Sequence, residues 1–166
     1  MLLSFSLSAR ARRRPAGLAG MAAVTPAASA APSGPAASIP EVLAWGGNFY
    51  GELGNGTTTD NDEPEGVHLP AGTTYTVVRC GLSAFAVSKG GRLYGWGNNA
   101  AGQLGDGTAT EQLTPVRVKL PAGVKITSVR AGGDFSLART STGGLCARGD
   151  NSLGELGNGS TTSRLR

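Results

Sequence analysis

Histidine occurs once in this chain and cysteine twice. His68, Cys80 and Cys146 are too few to close a four-ligand zinc site, so no metal is expected. His68 has no serine or cysteine in a recognisable nucleophile motif to partner it. No pair of carboxylates recurs in a catalytic context. The chain therefore reads as non-enzymatic, with no catalytic residue and no cofactor. The two cysteines fall at different places in the sequence pattern and read as small strand residues facing a core; their spacing assigns no disulfide. No apolar run is long enough to span a bilayer.

A surplus of basic charge is also missing from most of the chain. The formal charge is +4, and Arg10, Arg12, Arg13 and Arg14 account for all of it. Beyond residue 40 there are 11 basic and 11 acidic residues. A nucleic-acid binder needs a basic face to neutralise phosphates, and net charge supplies none here. The acids at 60–65 do not match a calcium loop, which needs a glycine at its sharp turn.

Glycine is abundant instead, with 27 in 166 residues. Each glycine inside a helix costs roughly 0.5–1 kcal/mol relative to alanine, so helices are not expected where they cluster. The glycines recur in a copied segment. Trp45-Gly46-Gly47-Asn48 leads to Leu53-Gly54-Asn55-Gly56-Thr57, and Trp96-Gly97-Asn98-Asn99 leads to Leu104-Gly105-Asp106-Gly107-Thr108. Arg148-Gly149-Asp150-Asn151 leads to Leu156-Gly157-Asn158-Gly159-Ser160, with arginine in place of tryptophan. A period near 51 residues marks a repeat architecture. The repeated structural positions are Trp45, Gly46, Leu53, Gly54, Gly56, Trp96, Gly97, Leu104, Gly105, Gly107, Gly149, Leu156, Gly157 and Gly159. The tryptophans are expected to pack between sheets. The Asn-Gly and Asp-Gly pairs are expected to make tight turns through positive φ. Gly54, Gly105 and Gly157 are expected to let backbone approach a neighbour closely.

Between these segments lie short strands. Val67-His68-Leu69 precedes a Pro-Ala-Gly turn that returns at Pro121-Ala122-Gly123. Tyr75 to Cys80 matches Ile126 to Ala131, and Phe85 to Ser88 matches Ser136 to Arg139. Glycine pairs at 90–91 and 143–144 lead each hairpin onward. About four strands per period is the content of one propeller blade. One residue is lost between Gly81 and Trp96 relative to Gly132 and Arg148.

Residues 1–30 differ from the rest. An arginine cluster, an alanine-rich stretch and Ala28-Ser29-Ala30 follow the order of a secretory signal, which places the protein outside the cytoplasm, in the cell envelope or extracellular. An organelle transit peptide suits the missing acids as well, and an unordered leader is the third reading. Residues 31–41 read as an Ala/Pro/Ser linker. Residues 42–166 are the repeats, at about 45–95, 96–147 and a partial unit at 148–166.

Leu93-Tyr94-Gly95-Trp96-Gly97-Asn98-Asn99, with Gly102-Gln103-Leu104-Gly105-Asp106-Gly107-Thr108 and Ala131-Gly132-Gly133-Asp134-Phe135-Ser136-Leu137-Ala138, resembles the repeats of the regulator of chromosome condensation family. Kelch repeats have a similar period but lack this Trp-Gly-Asn and Gln-Leu-Gly signature. The resemblance implies β-propeller blades, and in the family seven of them. It implies interaction modules, one of which is an exchange factor for a small GTPase. The family's usual histidine after the glycine pair is Phe135 in one repeat and missing from the Gly81-Leu82-Ser83 loop in another, and no exchange residue carries over.

Motifs of other kinds dissolve into the repeat. Gly51 to Gly56 lacks the lysine of a phosphate loop, Asn55-Gly56-Thr57 and Asn158-Gly159-Ser160 match glycosylation acceptors because the turn recurs, and Arg148-Gly149-Asp150 is a drifted Trp-Gly-Asn. The expected fold is all-β: an incomplete β-propeller with two four-stranded antiparallel blades and part of a third. The expected function is binding of an unknown protein partner by a piece of a longer propeller. Nucleotide exchange on a small GTPase and a truncated product without function are the alternatives. Repeats bury their apolar faces against neighbours, so residues 41–166 are expected to be marginal alone, to aggregate, or to self-associate to complete the propeller.

Overall fold

The structure is a computed structural model, and it describes Ala23–Val24 and residues 42–71, 73–79 and 81–165. Most of the signal-like leader, the linker and Cys80 lie outside the described residues. Among those described there is no helix; ten strands form three antiparallel sheets. They are β1 (Ala23–Val24), β2 (Val42–Gly46), β3 (Asn61–Gly66), β4 (Tyr75–Arg79), β5 (Ser83–Ser88), β6 (Leu93–Gly97), β7 (Gln112–Arg117), β8 (Ile126–Ala131), β9 (Phe135–Thr140) and β10 (Leu145–Gly149).

The middle blade is complete, in the order β4-β5-β6-β7. The first blade is β1-β2-β3, and the third is β8-β9-β10. The sheets do not close, so the architecture is an incomplete propeller. In the third blade a bridge between Gly149 and Arg164 starts the fourth strand. It falls where Gly97 pairs with Gln112 and Gly46 with Asn61. In the first blade β1 pairs with β2 on the side where β5 pairs with β6, and it also lies beside β4.

Two expectations need correction. The blade does not coincide with the sequence unit: β4 and β5 of one period pair with β6 and β7 of the next. The strand expected at Val67–Leu69 lies just before it, at Asn61–Gly66, in what reads as polar connector. That strand escapes notice because it is an edge strand, mostly exposed and without apolar alternation. Its counterpart β7 is also an edge strand but is mostly half-buried, and it too lacks apolar alternation. Each carries a proline, Pro64 or Pro115, inside the stretch where the ladder shifts register. Proline is tolerated at an edge or bulge because no ladder N–H is needed there.

Packing follows the pleat. Successive residues of a strand face opposite sides, so β5 and β6 feed two cores at once. Ala84, Ala86, Tyr94 and Trp96 face the first blade and join Val42, Ala44, Leu53 and Val67. Phe85, Val87 and Leu93 face the third blade and join Leu104, Val118, Ile126 and Val129. Every residue of β5 and of β6 is buried as a result. Gly95 has no side chain because a Cβ there would stand 3.0 Å from Phe85 and 3.2 Å from Leu104.

The length difference between repeats is resolved at the β4–β5 and β8–β9 connections. Arg79 pairs with Phe85, while Arg130 pairs with Leu137, one residue further on. The hairpins that follow are alike, closed by Gly91 N–H to the Ser88 carbonyl and Gly143 N–H to the Thr140 carbonyl.

Candidate interaction surface

The loop after β2, β6 and β10 is organised by one side chain. Asn48, Asn99 and Asn151 are each fully buried. The side-chain carbonyl accepts the backbone N–H of Leu53, Leu104 or Leu156, at 2.9, 3.0 and 2.9 Å. The amide nitrogen donates to two carbonyls on the far side of the turn. These are Thr57 and Thr59 in the first copy, Thr108 and Thr110 in the second, and Ser160 and Thr162 in the third. Only an amide can accept on one side and donate twice on the other. Each loop is thus closed on itself, inside one blade. The sequence reading did not single out these asparagines. The signal was present: the same residue stands three places after Trp45, Trp96 and Arg148.

The turn chemistry also differs from expectation. Asn55, Asp106 and Asn158 do not take positive φ; among described residues only glycines do. The carboxylate or amide oxygen instead accepts the N–H two residues on, of Thr57, Thr108 or Ser160, at 2.9–3.0 Å. This is an Asx-turn. The left-handed positions are the glycines on either side, Gly54 and Gly56 in the first copy.

The repeated glycines serve as seats. The Trp96 ring is buried over Gly54, and its indole N–H donates to the Glu52 carbonyl at 2.8 Å. A Cβ at Gly54 would lie 2.8 Å from the indole nitrogen. Arg148 takes the same place over Gly105, and its guanidinium donates to the Lys119 carbonyl at 3.2 Å. Burial pushes the Arg148 pKa down from its usual value. What approaches these glycines is therefore a side chain rather than backbone. Gly157 holds the equivalent position in the third copy, and among the described residues nothing stands within 4 Å of a Cβ built there. Trp45, the tryptophan of the first copy, is half-buried. Leu53 and Leu104 are fully buried and Leu156 nearly so. Gly46, Gly97 and Gly149 end their strands at positive φ, and Gly56, Gly107 and Gly159 do so in the turn.

Glu52 stands beside the seat, 4% exposed, with its carboxylate accepting the Tyr50 N–H at 2.7 Å. Burial raises its pKa above the ordinary carboxylate value. In the second copy the neutral Gln103 does the same work, accepting the Ala101 N–H. Ser136 adds a further tie between blades, donating to the Gln103 carbonyl at 2.6 Å.

Two large apolar side chains point outward from these loops: Phe49 at 75% exposure and Leu153 at 89%. Phe49 packs edge-on against Tyr50, with ring centroids 4.7 Å apart. Acids lie near the same loop of the first copy. Asp60, Asp62, Glu63 and Glu65 are exposed, and hydrogen bonds from Asn55 and Asn61 lower the Glu65 pKa. A cavity of about 540 Å³ opens beside Leu93 and residues 117–124, lined by apolar and basic residues only. Cys146 is a free thiol packed against the second core. Among the described residues no group of His, Cys, Asp and Glu could hold a metal. No described helix is long and apolar enough to cross a membrane.

Known proteins are similar to this chain in sequence and in fold. The ultraviolet-B receptor UVR8 of Arabidopsis thaliana is 35% identical over 126 residues, which is 75% of this chain and 29% of the receptor. The probable E3 ubiquitin-protein ligase HERC4 of Homo sapiens is 32% identical over 127 residues, 75% of this chain and 12% of the ligase. The crystal structure of human WBSCR16 superposes with a TM-score of 0.64 at 25% identity, over 74% of this chain and 32% of that one. Prp20p of Saccharomyces cerevisiae superposes at 0.66 with 22% identity, over 75% and 32%. The chain thus spans less than a third of the length of each. A family model, the regulator of chromosome condensation (RCC1) repeat, matches residues 41–85 and 90–139. That match covers more than half of the chain, including the loops centred on Asn48 and Asn99, and the chain belongs to the RCC1 repeat family.

Proposed function

We propose that this chain is a non-enzymatic binding module whose loops recognise another protein, and that it works outside the cytoplasm, in the cell envelope or extracellular space. The observation that carries the binding reading is the pair Phe49 and Leu153. Large apolar side chains left in water on rigid loops mark contact points for a partner. The loops that hold them are fixed from within by Asn48 and Asn151, so little conformational entropy is lost when a partner arrives. Prp20p binds Gsp1p and histones. That is a protein-binding use of the same fold, and at 22% identity it carries the fold alone. The placement outside the cytoplasm rests on the leader's arginine cluster followed by small and apolar residues.

The test is affinity capture with the full chain as bait against a Phe49→Ala/Leu153→Ser variant that keeps its circular dichroism. Loss of a defined set of captured proteins is expected. Identical captured sets from the two baits would overturn the reading. Fractionation of cells making a C-terminally tagged chain tests the location, and a tag found only in the cytoplasm contradicts it.

A further inference from the structure

We propose that Asn55 is a self-modifying site: its side chain deamidates through attack by the Gly56 backbone nitrogen, and the joint between the first and middle blades sets the rate. Asparagine before glycine is the least hindered case of this reaction, because glycine puts no Cβ beside the attacking nitrogen. The Gly56 nitrogen bonds to Cγ of Asn55. Its proton leaves with the Nδ2 group as ammonia, and a five-membered imide remains. Water then opens the imide at either carbonyl, giving aspartate or isoaspartate. Water is the only co-reactant, and no electron changes hands.

The structure primes the carbon and restrains the nucleophile. Oδ1 of Asn55 accepts the Thr57 N–H at 3.0 Å, the Thr57 hydroxyl at 2.9 Å and the Asn48 amide at 3.4 Å. Negative charge develops on this oxygen as nitrogen adds to Cγ, so these donors act as an oxyanion hole does. Against that, the Gly56 N–H donates to the Leu113 carbonyl at 3.0 Å. Leu113 belongs to β7 of the middle blade, and its side chain lies against Gly51. While the two blades are joined, this nitrogen keeps its proton on a carbonyl of the neighbouring sheet. Opening of the joint frees it.

The middle copy shows what the product would meet. Asp106 holds the same turn, accepting the Thr108 N–H at 2.9 Å and its hydroxyl at 2.8 Å. An aspartate at position 55 therefore keeps the turn. Its surroundings differ. Asp106 accepts the Gln112 amide at 3.1 Å, and Val116 stands opposite Gly95. In the first copy Asn55 donates to the Glu65 carboxylate at 2.9 Å, and Glu65 stands opposite Ala44. Conversion replaces that hydrogen bond by two facing carboxylates, which repel. Isoaspartate adds a methylene to the backbone of the turn. Neither product reverts, so the site records how long the joint has stood open.

The experiment is timed incubation of the full chain at mildly alkaline pH, with peptide mapping by mass spectrometry that separates Asn55 from its aspartate and isoaspartate forms. Two variants are followed beside it. Trp96→Ala opens the joint between the first and middle blades; Leu93→Ala weakens the joint between the middle and third. Conversion of Asn55 is expected to be at least about tenfold faster in Trp96→Ala than in the parent, and little changed in Leu93→Ala. In each chain its rate is expected to follow hydrogen exchange at the Gly56 amide. Should Trp96→Ala unfold, Trp96→Phe replaces it: the ring stays over Gly54 and only the tie to the Glu52 carbonyl is lost, so a smaller acceleration is expected. Asn55 that stays intact in every chain overturns the proposal. Equal rates in the parent and the Trp96 variant overturn it too, as do equal accelerations by the Trp96 and Leu93 variants, which would mean that global unfolding sets the rate.

Discussion

Leu93 and Leu145 hold the same place in successive repeats, yet one is 3% exposed and the other 74%. Their strands follow suit: β6 is buried throughout, while β10 is buried only at Gly149. Sequence does not separate them, since both are leucines that open a short strand ending in glycine. The neighbour does. The middle blade has a sheet on each side, and the third has one. A blade's stability therefore belongs to the joints between sheets as much as to the sheet itself. The loops teach the complement. Asn99 and Asn151 are equally buried, because each is enclosed by its own turn and not by the next blade.

The comparison can be broken by substitution. Trp96→Ala opens the joint between the first two blades and leaves the Glu52 carbonyl without its donor; a cost of about 3–5 kcal/mol is expected in denaturant melts. Arg148→Ala, at the corresponding place, is expected to cost about 1 kcal/mol or less, since its hydrogen bond is exposed. Next comes Leu93→Ala, expected to cost about 2–5 kcal/mol, against under about 0.5 kcal/mol for Leu145→Ala. Equal costs at the two leucines would mean that burial by the neighbour does not set stability.

The loops sharpen the contrast from the other direction. Asn99→Ala and Asn151→Ala each leave one buried N–H and two carbonyls short of a partner, at about 1–3 kcal/mol for a buried group left unsatisfied. The two costs are expected to agree, unlike those of the leucines. Asn99→Asp is expected to be no better than alanine, because a carboxylate cannot donate to the Thr108 and Thr110 carbonyls.

A small effect is expected at Glu52 as well, under about 1 kcal/mol on replacement. Burial raises its pKa in the folded state, so the fold favours the neutral acid. Its contribution is fully present below the unfolded-state pKa and is lost as pH rises through the raised one. Glu52→Gln keeps the acceptor for Tyr50 and copies Gln103. It is expected to melt higher than the parent at neutral pH, with the gap closing as pH falls through the ordinary glutamate range. A parent that is the more stable at neutral pH would show the carboxylate to be favourably paired.

Much of this was legible in the sequence, and the exceptions share a cause. The period, the all-β class and the packing role of Trp96 follow from spacing and residue type. The edge strands Asn61–Gly66 and Gln112–Arg117 were not legible, because a strand with one neighbour and water outside carries no alternating pattern and tolerates Pro64 and Pro115. The asparagine hubs were visible as a repeated letter, but their role depends on carbonyls nine and eleven residues further on. The turn residues Asn55 and Asp106 point to a turn by either of two mechanisms, and only geometry chooses the side-chain one. Arg148 reads as drift; its place over Gly105 shows a guanidinium doing an indole's packing.

The most direct measurement is amide hydrogen exchange on residues 93–97 and 145–149 in one sample of the chain. The account predicts that 93–97 exchanges at least about tenfold more slowly, since only that strand is enclosed on both faces. Equal protection of the two strands would contradict it.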